Sequence, residues 1–594
     1  MRIADYIIDY IYKNGTDTIF TLAGGGAMFL NDAVACHKKM KYVCNHHEQA
    51  SAMAAEAYAK TNQGIGAVMV TSGPGSTNAI TGLLEAWQNS IPVIFISSQA
   101  KKSQMTHFSG LPIRQFGIQE LDIIPIVRPL TKYADYVEKP EEIRFKIEKA
   151  YQEMLSGRPG PVWLDIPPDV ASQSIDPEKL PGFVDKKTPN SLPKISTREI
   201  GLVINLLNRA RKPIIIAGGG IKLAKAVSEF RALVNILKIP VVVPEMGIDL
   251  LENNHPCYAG HGGTKGDRAG NIVIQNSDLI LAIGSRLSVS FTGHEFDKYA
   301  PRSVKIVIDV DEKEHQKKTV KINHLIISDA KYFIEEMIKN KQKLIDNKNV
   351  WLKKCQIIKN KYGLYLPKIK DKNGEISMYH IVDTISKLSR PGDFFITDAG
   401  VTAYIAVQTL KFKKNQRMII PGATLTMGYN LPAILGVWAA NKNARIICIT
   451  GDGSLQMNIH ELGTIAYHKI PAKIFVINNH GYLAIRTTQK NFFQSRLIGE
   501  GSGSGVYLPS SQKIAQAYGY KYVRIKNYKE LSKIKQVMKE KSAVICEVFS
   551  PYWQDVLTVS SKKMPDGKMV SLPIDDMYPF LPEEEMKQIR QSLK

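Results

Sequence analysis

The sequence predicts an α/β protein built as three doubly wound parallel-sheet units, and three observations predict it. Apolar runs of strand length alternate with helical stretches along almost the whole chain, which is the pattern of βα repeats. The 594 residues exceed what one hydrophobic core organises, and roughly 150 residues per domain gives three or four domains. Two stretches without core-forming period divide the repeats into blocks: the Pro/Lys-rich IDPEKLPGFVDKKTPNSLPKIS, and a lysine-rich helical connector between Lys331 and Asp371.

The chain opens on MRIADYIIDYIYKNG, where Ile3, Ile7, Ile8 and Ile11 fall on one helical face and acidic residues interrupt the apolar run. It therefore reads as a folded helix and not as a signal peptide. The first unit, residues 1–180, has strand candidates DTIFTL, IGAVMVTS, IPVIFISS and GPVWLDI. The second, 197–340, has KPIIIAGGG, IPVVVPE, DLILAIGS and VKIVIDVD. The third, 376–560, has DFFITDAG, ARIICITGDG, AKIFVINN and AVICEVF, and a tail of residues 561–594 follows. The first and third units look alike, which suggests an old duplication.

Composition narrows the function classes. A hydrophobic fraction of 44% suits several buried cores. The six cysteines are scattered without metal-type spacing, which argues against a disulfide framework or a zinc site and fits a reducing cytoplasm. No apolar run approaches the roughly 18 residues of a membrane span. The formal charge of +23 comes from lysines spread through polar helices, with no aromatic-interleaved basic motif. The expectation is a solvated basic surface that steers anionic substrates, with no nucleic-acid partner.

The sharpest motif is Gly451-Asp452-Gly453-Ser454 at the end of one strand, followed by Asn478-Asn479 at the end of the next. Consecutive parallel strands end on the same carboxyl edge, where open α/β sheets bind ligands. The glycines let backbone approach a diphosphate and turn into a helix whose N-terminus favours anions. Asp452 and Asn479 offer oxygen ligands to magnesium, which prefers a few protein oxygens plus phosphate. A lone GDG is a common turn; the pairing with Asn-Asn is far more specific.

This pairing, closing in INNHGY, resembles the signature of thiamine-diphosphate enzymes. HHEQASAMAAEAYAK, TSGPGSTNAITGLLEAWQNSIPVIFIS, QELDI and SGRPGPVWLDIPPDV resemble acetolactate synthase, collinearly from about residue 1 to 550. The resemblance implies pyrimidine-binding, central and diphosphate-binding domains, and a cofactor of thiamine diphosphate with Mg2+. It implies that Asp452, Asn479 and the Gly481 carbonyl hold the metal, while Gly451, Gly453 and Ser454 line the diphosphate. Glu48 would hydrogen-bond the cofactor's pyrimidine ring, Met427 would prop the cofactor in a bent shape, and Gly25 and Gln119 would line the active site. The family's diphosphate-side Gln-His pair falls on Val401-Thr402, with Thr402 as a cofactor contact. In the family the site lies between subunits, so a homodimer or tetramer is expected, with Glu48 and Asp452 from different chains. Read alone, Glu48 would be a helix-start acid and Met427 a core residue.

The middle unit carries Gly218-Gly219-Gly220 after a strand, which either cradles a phosphate or packs a βα turn. Together with Arg286 and Asp309 it resembles the flavin-binding stretches of acetolactate synthase, so FAD is a further expected cofactor. The chain also departs from that family. The family's GxRFDDRVTG reads GSRLSVSFTG here, placing Ser290 where an arginine holds the acceptor's carboxylate. The tryptophan that selects the acceptor is replaced by Thr488. Serine cannot supply a bidentate charged fork, although another arginine such as Arg486 is a substitute to consider. The loop RTTQKNFFQSRLIGEGSGSGV and the tail resemble acetolactate-synthase-like proteins of surface-polysaccharide pathways. The expectation is a pyruvate-type donor and a keto sugar on a nucleotide as acceptor. Alternatives are acetolactate synthesis from two pyruvates, simple decarboxylation with His107 as a catalytic candidate, and a non-catalytic nucleotide-binding regulator.

Overall fold

The computed structural model describes residues 1–184, 192–364, 366–564 and 568–593. Residues 185–191 of the expected linker and 565–567 of the expected tail lie outside the described residues. The opening helix α1 (Ile3–Lys13) buries Ile3, Ile7, Ile8 and Ile11, as its periodicity requires.

The first sheet contains β1 (Thr18–Thr21), β2 (Lys41–Cys44), β3 (Gly66–Val70), β4 (Val93–Ser98), β5 (Tyr133–Tyr136) and β6 (Val162–Ile166). Their spatial order is β2-β1-β3-β4-β6-β5. The middle sheet contains β7 (Pro213–Ala217), β8 (Val241–Val243), β9 (Tyr258–His261), β10 (Leu279–Ile283), β11 (Val304–Asp309) and β12 (His324–Ile327), ordered β12-β11-β10-β7-β8-β9. The third contains β13 (Phe394–Ile396), β14 (Arg417–Ile419), β15 (Ile446–Gly451), β16 (Lys473–Asn478), β17 (Lys521–Ile525) and β18 (Val544–Phe549), ordered β14-β13-β15-β16-β18-β17. Every neighbouring pair in these three sheets is parallel. The fold class is therefore α/β with three parallel sheets. The strand order reverses between β1 and β3, between β7 and β10, and between β13 and β15. Each reversal opens a crevice at the carboxyl edge of its sheet, and the candidate site residues cluster at these three crevices.

The first and third units pack through helices rich in small residues. Helix α2 (Glu48–Asn62) lies under α3 (Ile80–Asn89), where a Cβ on Gly82 would fall 2.4 Å from the Ala52 methyl. Three further helices belong to the third unit: α4 (Gly400–Thr409), α5 (Asn430–Ala440) and α6 (Leu483–Phe493). Helix α5 crosses α2 so closely that a Cβ on Gly436 would sit 2.2 Å from the Ala54 carbonyl oxygen. Across this contact Tyr429 donates to Glu56 (2.6 Å), and Lys60 pairs with Glu56 (2.5 Å) and donates to the Ile420 carbonyl (2.6 Å). Gly436→Ala should force the helices apart and destabilise the protein by about 1–3 kcal/mol. The measurement is the thermal unfolding midpoint, which should fall by several degrees; an unchanged midpoint would show that the helices separate freely.

After the third unit the chain returns to the middle one. A short antiparallel hairpin, β19 (Ser561–Lys563) with β20 (Met569–Ser571), leads to α7 (Glu583–Ser592). Ile574, Met586, Ile589 and Leu593 join the middle unit's core. The tail is held at its root by Gln408, whose amide donates to the Leu557 carbonyl (2.9 Å) and the Lys265 carbonyl (3.0 Å).

Candidate active site

At the first crevice, β1 runs into Gly24-Gly25-Gly26 and β3 into Thr71–Gly75. Gly24 and Gly26 press on Thr71, at 2.8 and 2.9 Å from their absent Cβ positions, whereas Gly25 is open and exposed. Glu48 begins α2 just beyond β2 and is buried. Its Oε2 accepts from the Asn78 amide at 3.0 Å, and Oε1 lies 3.4 Å from where a Cβ on Gly75 would be. Asn78 and Gly75 are neighbours of Glu48 that motif reading did not single out; the signal was the TSGPGSTN string itself. Gln119 is exposed in the left-handed region (φ 56°), with its carbonyl against Gly73. Its loop is tied down by Gln99, which donates to the Leu121 carbonyl (2.7 Å) and to buried Asp165 (2.9 Å).

At the third crevice, β15 and β16 pair in register, with Gly451 opposite Ile477, so the GDG and Asn-Asn elements end side by side. Asp452 starts a one-turn helix and is buried. Its Oδ1 accepts from the Gly453 N–H (2.9 Å) and its Oδ2 from the Gly481 N–H (3.0 Å). Burial pushes the Asp452 carboxyl up to about 7, outweighing the lowering effect of its backbone N–H donors and of the Arg486 charge. The Asn479 amide is also buried and makes no side-chain hydrogen bond among the described residues. Gly481 has φ 134°, and a Cβ there would lie 1.9 Å from the Glu500 carbonyl oxygen, so only glycine fits.

Among the described residues no three His, Cys, Asp or Glu side chains converge as a metal cage. The donor set here is instead one carboxylate, one amide oxygen and a backbone carbonyl. That set fits magnesium, which completes its shell from phosphate oxygens.

Asp398, beyond β13 on the other side of the crevice, was missed from the sequence. It is buried and accepts from the Gly428 N–H (3.0 Å) and from the Ser454 hydroxyl. It thereby fixes the turn after Met427, which is half-buried. Its signal was an acid closing the apolar run DFFIT. Thr402, on α4, places its hydroxyl 3.5 Å from the Cβ position of Gly451.

Three family models cover most of the chain. The N-terminal TPP binding domain of thiamine pyrophosphate enzymes matches residues 1–126, their central domain 200–337, and their C-terminal TPP binding domain 398–548. The acetolactate synthase large subunit of Cyanidium caldarium is 32% identical over 544 residues, covering 90% of each chain. The chain belongs to the acetolactate synthase family of thiamine-diphosphate enzymes. The large subunits of Buchnera aphidicola subsp. Schizaphis graminum (31%, 97% of this chain and 96% of that one) and Lactococcus lactis (30%, 96% of each) are similar along almost their whole lengths. This is thus a thiamine-diphosphate-dependent enzyme of the acetolactate synthase type.

For a member of this family, the remaining residues fall as follows. In the middle unit Gly218 and Gly220 sit at the crevice between β7 and β10. Their N–H groups donate to the carbonyls of Ile283 (2.9 Å) and Gly284 (3.0 Å), and a Cβ on Gly218 would lie 2.1 Å from the Gly284 oxygen. The pair lets two βα turns touch; Gly219 faces Met246. Arg286 is half-buried, and its guanidinium makes no hydrogen bond among the described residues. Asp309 bonds His315 (3.1 Å) and the Asp311 N–H (3.1 Å) within its own turn.

Ser290 is exposed, with its hydroxyl 2.9 Å from that of Ser288, and Thr488 is exposed on α6, donating back to the Ala484 carbonyl. Arg486 does not replace the missing arginine. Its side chain is fully buried and bonded to Glu500 (2.6 Å), so it cannot meet a substrate carboxylate. His107 is exposed on the surface, 3.3 Å from Asp122 and against the Tyr136 ring. All six cysteines are free, and among the described residues no helix is long and apolar enough to cross a membrane.

Proposed function

We propose that this enzyme takes an acetyl carbanion equivalent from pyruvate and delivers it to a carbonyl acceptor other than a second pyruvate, namely a ketone on a nucleotide-linked sugar. The observation that carries the reading is the Ser288–Ser290 turn, an exposed pair of hydroxyls where the family places a carboxylate-binding arginine. Burial of Arg486 removes the substitute the sequence offered, and Thr488 stands exposed where the family places a tryptophan. The charge of +23 suits an anionic, nucleotide-bearing acceptor.

Thiamine diphosphate, when bound, supplies the electron sink for decarboxylation. The chain's own part is to hold and activate it. Asp452, Asn479 and the Gly481 carbonyl would hold magnesium against the diphosphate, with Gly451, Gly453, Ser454 and Thr402 beside it and Met427 under the cofactor. Glu48, with Oε2 occupied by Asn78, would use Oε1 for the pyrimidine ring. Gly25 and Gln119 would border the substrate. FAD is proposed for the middle crevice because Arg286 offers an uncommitted guanidinium to an anionic group. Glu48 and Asp452 are assigned to different subunits of a homodimer or tetramer. The exposed apolar loop Leu111, Ile113, Phe116 and Ile118, the last 89% exposed, supports an interface there.

A second reading, acetolactate synthesis from two pyruvates, is favoured by the names of the similar chains. Product partition separates the two. Without a paired cation, a pyruvate acceptor forfeits a charge-assisted hydrogen bond of about 1.5–3 kcal/mol, about one to two decades in rate. Acetolactate should therefore form slowly relative to carbon dioxide, a nucleotide-linked keto sugar should be the faster acceptor, and Ser290→Arg should raise the acetolactate share about tenfold. Mass spectrometry of products at matched pyruvate, with and without the sugar, is the test. Near-stoichiometric acetolactate from the unaltered enzyme would establish the second reading.

A further inference from the structure

Arg486 is completely buried, 0% exposed. An arginine in such a place is retained only where its charge and fork are matched. Its Nε donates to Glu500 Oε2 at 2.6 Å, its Nη1 to the Asn479 carbonyl at 3.2 Å and to the Tyr552 carbonyl, and its Nη2 to the His480 carbonyl at 3.0 Å. The guanidinium lies over the Tyr552 ring, 3.3 Å from its centroid. The opposing carboxylate is held in turn: Tyr552 donates to Glu500 Oε1 at 3.0 Å, and the Ser504 hydroxyl donates to the Glu500 carboxylate (3.4 Å) and accepts from its N–H (2.9 Å).

These contacts converge on one short loop. Asn479 and His480, whose carbonyls Arg486 takes, precede Gly481, whose N–H binds Asp452. The Glu500 carbonyl accepts the Tyr482 N–H (2.7 Å) and closes the other side of Gly481. His480 and Gly481 both have positive φ, 63° and 134°. For His480 this is an uncommon conformation that surrounding contacts must hold.

We propose that Arg486, with Glu500, is a positioning residue for the loop Asn479–Gly481, aiming the Asn479 side chain and the Gly481 carbonyl at the metal. The proposal rests on the reading that Asp452, Asn479 and Gly481 hold magnesium. It makes the buried pair the device that sets metal geometry, and it ties that geometry to the glycine-rich segment from Gly499 to Gly505.

The test uses metal selectivity, because magnesium demands a near-ideal octahedron at about 2.0–2.1 Å while calcium tolerates irregular shells. Arg486→Lys keeps a charge but not the planar fork that reaches a carboxylate and two carbonyls together. Thiamine diphosphate binding to the full-length protein is titrated calorimetrically with Mg2+ and, separately, with Ca2+. In Arg486→Lys the affinity with Mg2+ should fall about tenfold, the scale of one misplaced strong contact, and the affinity with Ca2+ by less than about threefold. Equal losses with both metals, or no loss with Mg2+, would overturn the positioning role. Should the lysine variant not fold, Glu500→Gln is read the same way, with a Mg2+-selective loss expected and an unchanged Mg2+/Ca2+ ratio overturning the proposal. Asp452→Ala in parallel tests the underlying reading: it should lose binding with both metals, and if it does not, the site assignment itself has failed.

Discussion

Glu48→Gln is expected to slow hydrogen–deuterium exchange at the thiazolium carbon of bound thiamine diphosphate by about two to four decades, the usual worth of one acid–base group in place. The substitution is nearly isosteric, and its oxygen still accepts from Asn78. Fold and cofactor affinity should therefore persist, and thermal unfolding of the variant should match the parent. What the amide loses is the ability to exchange a proton with the pyrimidine ring. The pocket is close on this side, since a Cβ on Gly75 would lie 3.4 Å from Glu48 Oε1. Exchange measured by NMR on quenched samples reads this step before any substrate is involved. Parent-like exchange in the variant would remove Glu48 from the activation step and return it to the role of a helix-start acid.

The sequence made the interior of each sheet legible and left its edges dark. In all three sheets the four strands read from apolar runs are the inner ones: β1, β3, β4 and β6; β7, β8, β10 and β11; β13, β15, β16 and β18. The unread strands are the six edges, β2 and β5, β9 and β12, β14 and β17. The reason is burial for five of the edges, while β9, buried at all four positions, is hidden by its Tyr-Ala-Gly-His composition. An inner parallel strand is covered on both faces and reads as a continuous hydrophobic run, as β7 and β10 do in being buried at every position. An edge strand such as β2, Lys-Tyr-Val-Cys with one buried residue, carries neither a run nor an alternation long enough to stand out. The tail was unread for a similar reason, because its apolar residues are spaced to fit the middle unit's surface and not one another.

The site was legible where function imposes a string and opaque where it relies on packing between strings. Gly-Asp-Gly and Asn-Asn are adjacent in space because β15 and β16 are adjacent in order, so strand reading alone predicts their meeting. Asp398 lies 54 residues before Asp452 in sequence (452 − 398) and reaches the same crevice only because β13 flanks the switch point. Arg486 shows the opposite failure. Its residue type suggested a substrate contact, and only burial reveals a structural partner in Glu500.

Asp452→Ala should abolish measurable thiamine diphosphate binding, and the size of the effect follows from three losses at one carbon. The first is the carboxylate that neutralises the cation and fixes its place against the diphosphate. The second is the acceptor for two backbone N–H groups, those of Gly453 and Gly481. Left unmade in a buried site, each costs about 1–3 kcal/mol. The third is the cross-link between the GDG turn and the Asn-Asn loop, which Asp452 provides by bonding both. Together these exceed the roughly 4 kcal/mol that three decades of affinity require, so excess magnesium should recover little. Asp452→Asn separates the causes, because it keeps an oxygen for one N–H and a neutral ligand while losing the charge. It should retain binding weakened by one to two decades, about 1.4 kcal/mol for each, and respond to added magnesium. Calorimetric titration of both variants with thiamine diphosphate at saturating Mg2+ decides the matter. Parent-like affinity in the alanine variant would take Asp452 out of the metal site, and equal losses in both variants would show that charge, not loop geometry, sets the binding.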